Sequence, residues 1–296
     1  MDTRQLAAFC AVVERRSFSQ AAERLGVTQP AVSLQVRSLE ERLGRKLIDR
    51  SGRRVEPTEA GVRLYRGARR ILAAEEQLLA ELAAGDGELA GRLEIGASTG
   101  PGASFVPVLL GEFQRAHPKL RAALTVADTQ AVIDAVAERE VELGVVGALR
   151  RQRAVEFEPL VRDEIVLVVP PNHRFANREI SLAELREEPL VVMQEGAGLR
   201  VVIDDELRRA GLRLRDLDPK LELGLQESVK SAVAAGLGVT FISRTGVVAE
   251  LAAGTLAAAR VAGLDPARQI YVVRPRGRTL TRAAEAFLAF LRERAA

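Results

Sequence analysis

Residues 17–43 read SFSQAAERLGVTQPAVSLQVRSLEERL, two short helical patterns joined by a turn of fixed chemistry. Ala21, Ala22 and Leu25 share one face of a helix opened by Ser19, and Gly26 stands where a left-handed terminator belongs. Val27 is expected to pack inward and Thr28 to cap the next helix, in which Pro30 takes an early position where a missing N–H costs nothing. Ala31, Val32, Val36, Leu39 and Leu43 recur at three- and four-residue steps as the buried stripe of that second helix. Gln29, Ser33, Gln35 and Arg37 fall on the faces away from it, hydrogen-bonding side chains of the kind that read base edges and phosphates. The pattern predicts a helix-turn-helix. An ordinary helical hairpin is the alternative, and the agreement of turn, cap and packing favours the former.

Working outward, residues 3–15 form a further amphipathic helix with Leu6, Phe9, Cys10 and Val13 on one side, so that three helices share a small core. Cys10 on that stripe reads as a small buried hydrophobe. Residues 44–55 give two short extended pieces about a Ser-Gly turn, the shape of a wing. Arg53 and Arg54 at its tip suit a minor groove, the alternative being a solvated hairpin.

From Thr58, placed as a cap, one long helix is predicted. Leu64, Ile71 and Leu78 lie seven residues apart, with Ala68, Glu75 and Leu82 four further on. Such a seam wants a partner helix, which would set two reading heads on two half-sites; packing on its own domain is the alternative. The Gly-rich break at 84–87 marks a domain boundary. The predicted division is a winged helix-turn-helix at 1–58, a dimerising linker helix at 59–84, a hinge at 85–91 and a ligand-binding domain at 92–296.

Beyond residue 92, short β-branched runs alternate with helical segments: 93–96 then 105–116, 121–126 then 130–138, 143–146, 165–169, 190–192 then 199–210, 220–224 then 229–235, and 239–242. The alternation predicts an α/β domain with a largely parallel sheet, whose ligands bind at loops after the strands. Several such loops share one chemistry. Ser98, Thr99 and Gly100 open one helix, Gly196 and Gly198 a second, Gln226, Glu227 and Ser228 a third, and Thr129 with Gln130 follows another strand. Hydroxyls and unpaired N–H groups at helix starts favour a small anion.

With 296 residues, 47% of them hydrophobic and 28% charged, the chain has room for more than one core. No apolar run reaches the length of a membrane span, and the start lacks a signal-peptide pattern, so a cytoplasmic protein is expected. The net charge is +3, and residues 1–60 alone hold 11 Lys and Arg against 8 Asp and Glu. That local surplus suits phosphate contact. No P-loop, no Gly-x-Gly-x-x-Gly after a strand and no metal-spaced His cluster occurs, and His117 and His173 read as ordinary surface residues. Hence no catalytic residue, metal ligand or cofactor is assigned. An α/β enzyme or a solute-binding protein carrying a non-regulatory helical domain is the alternative.

Head, wing, long helix and α/β region, in that order, resemble a LysR-type transcriptional regulator. The likeness covers essentially the whole chain and is strongest at 17–61, through SFSQAAERLGVTQPAVSLQVRSLEERLGRKLIDR and the later PTEAG. It implies DNA contacts from Thr28, Gln29, Pro30, Ser33, Gln35 and Arg37, with Arg50 and Arg53 as basic residues of the wing. Leu34, Ile48 and Pro57 depart from the family pattern, and Leu34 removes one polar base contact. The resemblance further implies a two-lobed effector domain like a type 2 periplasmic binding protein, with strands crossing near 162–169 and 268–274. Lobe I would comprise about 92–164 and 269–296, and lobe II about 165–268. The cleft would be lined by Ser98, Thr99, Thr129 and 226–228, whereas Ala197 and Leu199 stand where relatives often carry Ser and Thr. The run ASTGPG at 97–102 is most similar to regulators of inorganic sulfur, selenium or carbon fixation. Double-stranded promoter DNA, a homodimer or homotetramer and a small-molecule effector are the implied partners. RNA polymerase is a further one that the resemblance admits.

Overall fold

The structure is a computed structural model that describes residues 1–49, 55–83, 88–195 and 197–295. It divides into two compact units, Met1–Arg92 and Leu93–Ala296.

In the first unit, α1 (Thr3–Arg15) is opened by a capping box between Asp2 and Gln5. α2 (Phe18–Leu25) follows, and its cap is Ser17, whose hydroxyl accepts the Gln20 N–H at 3.3 Å; the cap expected at Ser19 lies inside the helix. Gly26 ends α2 with φ of 65°, a left-handed conformation that glycine adopts without strain. α3 (Gln29–Leu43) begins after Thr28. Leu6, Phe9 and Val12 from α1, Ala21 and Ala22 from α2, and Val32, Val36 and Leu39 from α3 form one core. Three expectations fail here. Thr28 holds the N-cap position of α3, but its hydroxyl makes no capping bond, so the expected cap is positional only. Val27 is exposed, because its N–H closes on the Ala22 carbonyl and leaves the residue on the outside of the turn. Leu43 is exposed too, and the inner position on the last turns goes to Glu40.

β1 (Ile48–Asp49) and β2 (Glu56–Pro57) pair antiparallel as the base of the wing. Thr58 then does cap α4 (Glu59–Ala83), accepting the Gly61 N–H at 3.1 Å and donating to the Lys46 carbonyl at 2.8 Å.

The second unit opens with β3 (Gly91–Ser98), the short α5 (Thr99–Ala103), α6 (Phe105–Ala116), β4 (Leu120–Ala127), α7 (Thr129–Ala137) and β5 (Leu143–Val146). β6 (Val155–Val169) is far longer than the predicted 165–169. β7 (Glu179–Ile180), α8 (Leu182–Leu185), β8 (Leu190–Met193), α9 (Gly198–Arg209), β9 (Pro219–Leu223), α10 (Gln226–Ala234), β10 (Thr240–Ser243), α11 (Val248–Ala253) and β11 (Ala257–Val261) follow. β12 (Ala267–Pro275) and α12 (Arg282–Ala295) complete the chain.

The main sheet runs β4-β3-β5-β12-β6-β11-β7, with β10 also on β6. It is mixed where a largely parallel sheet was expected. β3 pairs parallel with β5, but β12 runs antiparallel to both β5 and β6. The reason is that β6 serves two lobes. From Val155 to Glu164 it pairs with β12, and from Ile165 to Val169 with β10 and β11. The result is a two-lobed α/β domain hinged on the β6–β12 pair. Ile165–Val169, Leu190–Met193, Phe241 and Ile242 lie in the core of lobe II. α12 returns to lobe I, where Phe287 meets Phe113 of α6 edge to face at 5.1 Å.

Candidate functional sites: reading head and effector cleft

The outward side of α3 starts at Thr28, whose hydroxyl makes no capping bond and is left for another partner. Gln29, Pro30 and Arg37 are exposed, Ser33 is half-buried, and the Gln29 amide donates to the Ser33 hydroxyl at 3.1 Å. Gln35 differs from these: its Oε1 is buried and has no partner among the described residues. Leu34 is 67% exposed, an apolar side chain set among the polar readers. Arg50, Arg53 and Arg54 of the wing lie outside the described residues.

Glu14 fastens the head to the long helix. Its carboxylate takes the guanidinium of Arg24 on α2, the Tyr65 hydroxyl at 2.9 Å and the Arg69 guanidinium at 3.3 Å on α4. Burial works against that charge, yet the Arg24 and Tyr65 donors outweigh it and hold the carboxyl below its ordinary value.

The seam of α4 splits in two. Leu64 is half-buried against the core of the head, and Ala68 is fully buried in it. Ile71, Leu78 and Leu82 are exposed, as is Leu79. Thus the first turns of the seam are spent on the chain's own domain, and from Ile71 onward the stripe is exposed among the described residues.

In the second unit, a narrow cavity of about 30 Å³, partly open to solvent, is lined by Ser98, Thr99, Gly100, Thr129, Gly147, Met193, Ala197, Gly198, Leu199, Gln226 and Arg268. The structure therefore brings together Ser98, Thr99, Gly100, Thr129, Gly198 and Gln226 from the sequence-derived set. Gln130 is not among the lining residues and donates instead to Asp134 at 3.0 Å. Glu227 turns to Lys230 at 2.8 Å, and Ser228 is exposed away from the lining. Gly196 lies outside the described residues.

Arg268 was missed by sequence reasoning. It stands on β12 directly opposite Asp163 on β6, and its Nε donates to Asp163 Oδ2 at 2.8 Å. Asp163 Oδ1 accepts the Ser243 hydroxyl at 2.5 Å. The one available signal was a charge at the start of a strand run, two residues before the buried Ile270 and four before the buried Val272. A charge at such a place needs a fixed partner.

A wider depression runs along α9 past Glu195, Arg200, Asp204 and Arg208. Two of its arginines are paired within the chain, Arg200 with Glu222 at 2.6 Å and Arg208 with Asp205 at 3.1 Å. The interlobe cavity instead gathers hydroxyl, amide and guanidinium groups on one small space.

A winged reading head followed by a two-lobed domain with a polar interlobe cavity defines a ligand-responsive DNA-binding regulator. Residues 3–62 match the family model described as bacterial regulatory helix-turn-helix protein, lysR family, and residues 86–296 match the LysR substrate binding domain. A RuBisCO operon transcriptional regulator from Allochromatium vinosum is 34% identical over 294 residues, spanning 99% of this chain and 96% of that protein. Full-length CbnR, solved in complex with target DNA, superposes with a TM-score of 0.75 at 22% identity over 100% of both chains. The Synechocystis PCC6803 CcmR regulatory domain, solved with 2-PG, superposes with a TM-score of 0.61 at 24% identity over 69% of this chain and 97% of that one. The chain belongs to the LysR family of bacterial transcriptional regulators. It is a regulator with an effector-binding domain and not an enzyme.

Proposed function

We propose that this chain is a homo-oligomeric, cytoplasmic sensor that converts capture of a small anionic metabolite into altered promoter binding. A ligand gripped by both lobes favours the lobe arrangement in which both touch it, and that preference shifts the population of dimer geometries. Thr28, Gln29, Pro30, Ser33, Gln35 and Arg37 are the proposed DNA contacts, with Arg50, Arg53 and Arg54 in the wing. Ile71, Leu78 and Leu82 are the proposed dimer seam, Leu64 serving mainly the head. The functional division proposed is head at 1–58, linker at 59–84, hinge at 85–91 and effector domain from 92 onward. RNA polymerase beside the promoter is a further proposed partner.

The observation that carries this reading is the gathering of hydroxyl, amide and guanidinium donors on one cavity, with no carboxylate among its lining residues. The name of the Allochromatium vinosum relative and the 2-PG bound to the CcmR domain support an anion of carbon metabolism. The test combines a salt-dependent footprint on the gene's own upstream DNA with a thermal-shift screen of phosphate, sulfate, sulfite, thiosulfate, simple carboxylates and 2-PG. A ligand at about 100 times its dissociation constant contributes about 2.7 kcal/mol, readily seen. Absence of any footprint overturns the reading.

A further inference from the structure

We propose that Arg268 is the charge-reading residue of the cleft, presenting Nη1 and Nη2 as a fork to a two-oxygen anionic head group. Carboxylate, phosphate and sulfate share that chemistry. The proposal rests on the effector reading above and names the group that recognises the ligand's charge.

Arg268 and Asp163 are 8% and 3% exposed in their side chains, so both charges are held largely out of water. Asp163 engages only Nε, at 2.8 Å, while its other oxygen is taken by Ser243. A guanidinium carries five N–H donors in a rigid plane. Its two terminal nitrogens, with four of those donors, reach no acceptor among the described residues. They face the cavity between two glycines. A Cβ at Gly100 would lie 2.7 Å from Nη2, and one at Gly147 would lie 2.9 Å from Nη1. Any side chain at either position would push the fork aside, so the start of α5 and the end of β5 leave the room that it occupies.

The neighbouring groups add donors of the same sense. Ser98 Oγ accepts the Gly147 N–H at 3.2 Å, which leaves its own O–H to turn into the cavity. Gln226 is only 9% exposed, and its amide reaches no partner among the described residues. α9 and α10, of 12 and 9 residues, both begin at the cavity without a side-chain cap. An oxyanion bound on the fork would therefore be surrounded by donors from both lobes, with its negative charge opposite a pre-oriented cation.

The test titrates the full-length protein with inorganic phosphate, sulfate and glycolate at constant ionic strength, chloride serving as control. Arg268→Lys keeps the charge and loses the fork; Gly147→Ala keeps Arg268 and displaces it. At least one probe is expected to bind the wild type, and the arm that responds identifies the head group. Both variants should weaken it about ten- to a hundredfold, with far-ultraviolet circular dichroism checking that each variant is folded. Wild-type affinity in both variants overturns the role of Arg268 and leaves the anion reading standing. No binding of any probe by the wild type overturns the anion reading itself, and this proposal with it.

Discussion

Glu40 reaches from α3 to the start of the wing and accepts the backbone N–H of Leu47 at 2.8 Å. The same carboxylate oxygen takes the Ile48 N–H at 3.2 Å, and Lys46 approaches the other oxygen at 3.3 Å. The side chain is nearly dry, at 3% exposure, so α3 and the wing are joined by a buried anion.

That anion predicts an acid-sensitive head. Burial works against the charge, but the donors from Leu47, Ile48 and Lys46 outweigh it and hold the carboxyl below its usual range. Its contribution is therefore complete above the unfolded-chain value of about 4.3 and is lost as pH falls through the lower folded value. Glu40→Ala should cost about 2–3 kcal/mol at neutral pH, with two backbone donors left unpaired. Glu40→Gln should flatten the acid side of the profile. Urea denaturation from neutral pH to about pH 3 measures both, and an unchanged acid slope in Glu40→Gln contradicts the assignment.

Gly61, within the PTEAG run, allows α4 to lie against the chain that leads into the wing. A Cβ there would fall 2.1 Å from the carbonyl oxygen of Leu47, which is backbone and already accepts the Thr58 N–H at 2.9 Å. Nothing flexible can yield. Gly61→Ala should destabilise the head by about 3 kcal/mol, at the upper end of overpacking costs, and should weaken the footprint. A urea midpoint equal to that of the wild type refutes it.

Cys10 should be inert in the folded protein. Burial first, and then the Glu14 carboxylate, push the thiol up to about 12 against the smaller opposing pull of Arg69 and Arg24. At pH 8 only about one thiol in ten thousand is then ionised, and the thiolate is the reactive form. An aromatic disulfide reagent should leave the native protein unlabelled and react once denaturant is added. Rapid labelling of the native state would show that the thiol is accessible.

The exposed part of α4 predicts an assembly defect without a folding defect. Leu78 and Leu82 contribute little to the chain's own core, so Leu78→Asp with Leu82→Asp should leave the helical circular dichroism intact. Burying a leucine contributes about 1.5–3 kcal/mol, and the substitution acts on both partners, so dimer affinity should fall at least about a hundredfold. Sedimentation velocity reads the outcome; an undissociated oligomer places the interface elsewhere. Leu64→Asp, by contrast, should destabilise the head itself.

What was legible in the sequence was what local chemistry decides. Gly26 stops α2 in the left-handed region because only the neighbouring turn is involved, and Thr58 caps α4 for the same reason. The α2 cap expected at Ser19 falls instead to Ser17, with Phe18 packed against the core at the first turn. The first half of β6 was not legible, since its charged side chains find their partners far along the chain: Glu156 with Arg274 at 2.8 Å and Glu158 with Arg292 at 2.6 Å. Arg268 has meaning only against Asp163, 105 residues away. Loops that open helices announced the cavity; the hinge strand that supplies its charge did not.

Ser98 tests the cavity from the side of lobe I. It is buried, it closes the end of β3, and its Oγ already accepts from Gly147, so the hydroxyl proton is the group it can offer a ligand. Ser98→Ala removes that donor and also the acceptor for the Gly147 N–H, costing about 1–2 kcal/mol of stability and about tenfold or more in anion affinity. The two losses separate by experiment. The ligand-free melting temperature reports the first, and the ligand-induced shift, measured relative to each variant's own baseline, reports the second. A Ser98→Ala protein that melts earlier yet keeps the full shift assigns Ser98 to structure alone and moves the ligand toward Thr129 and Gln226.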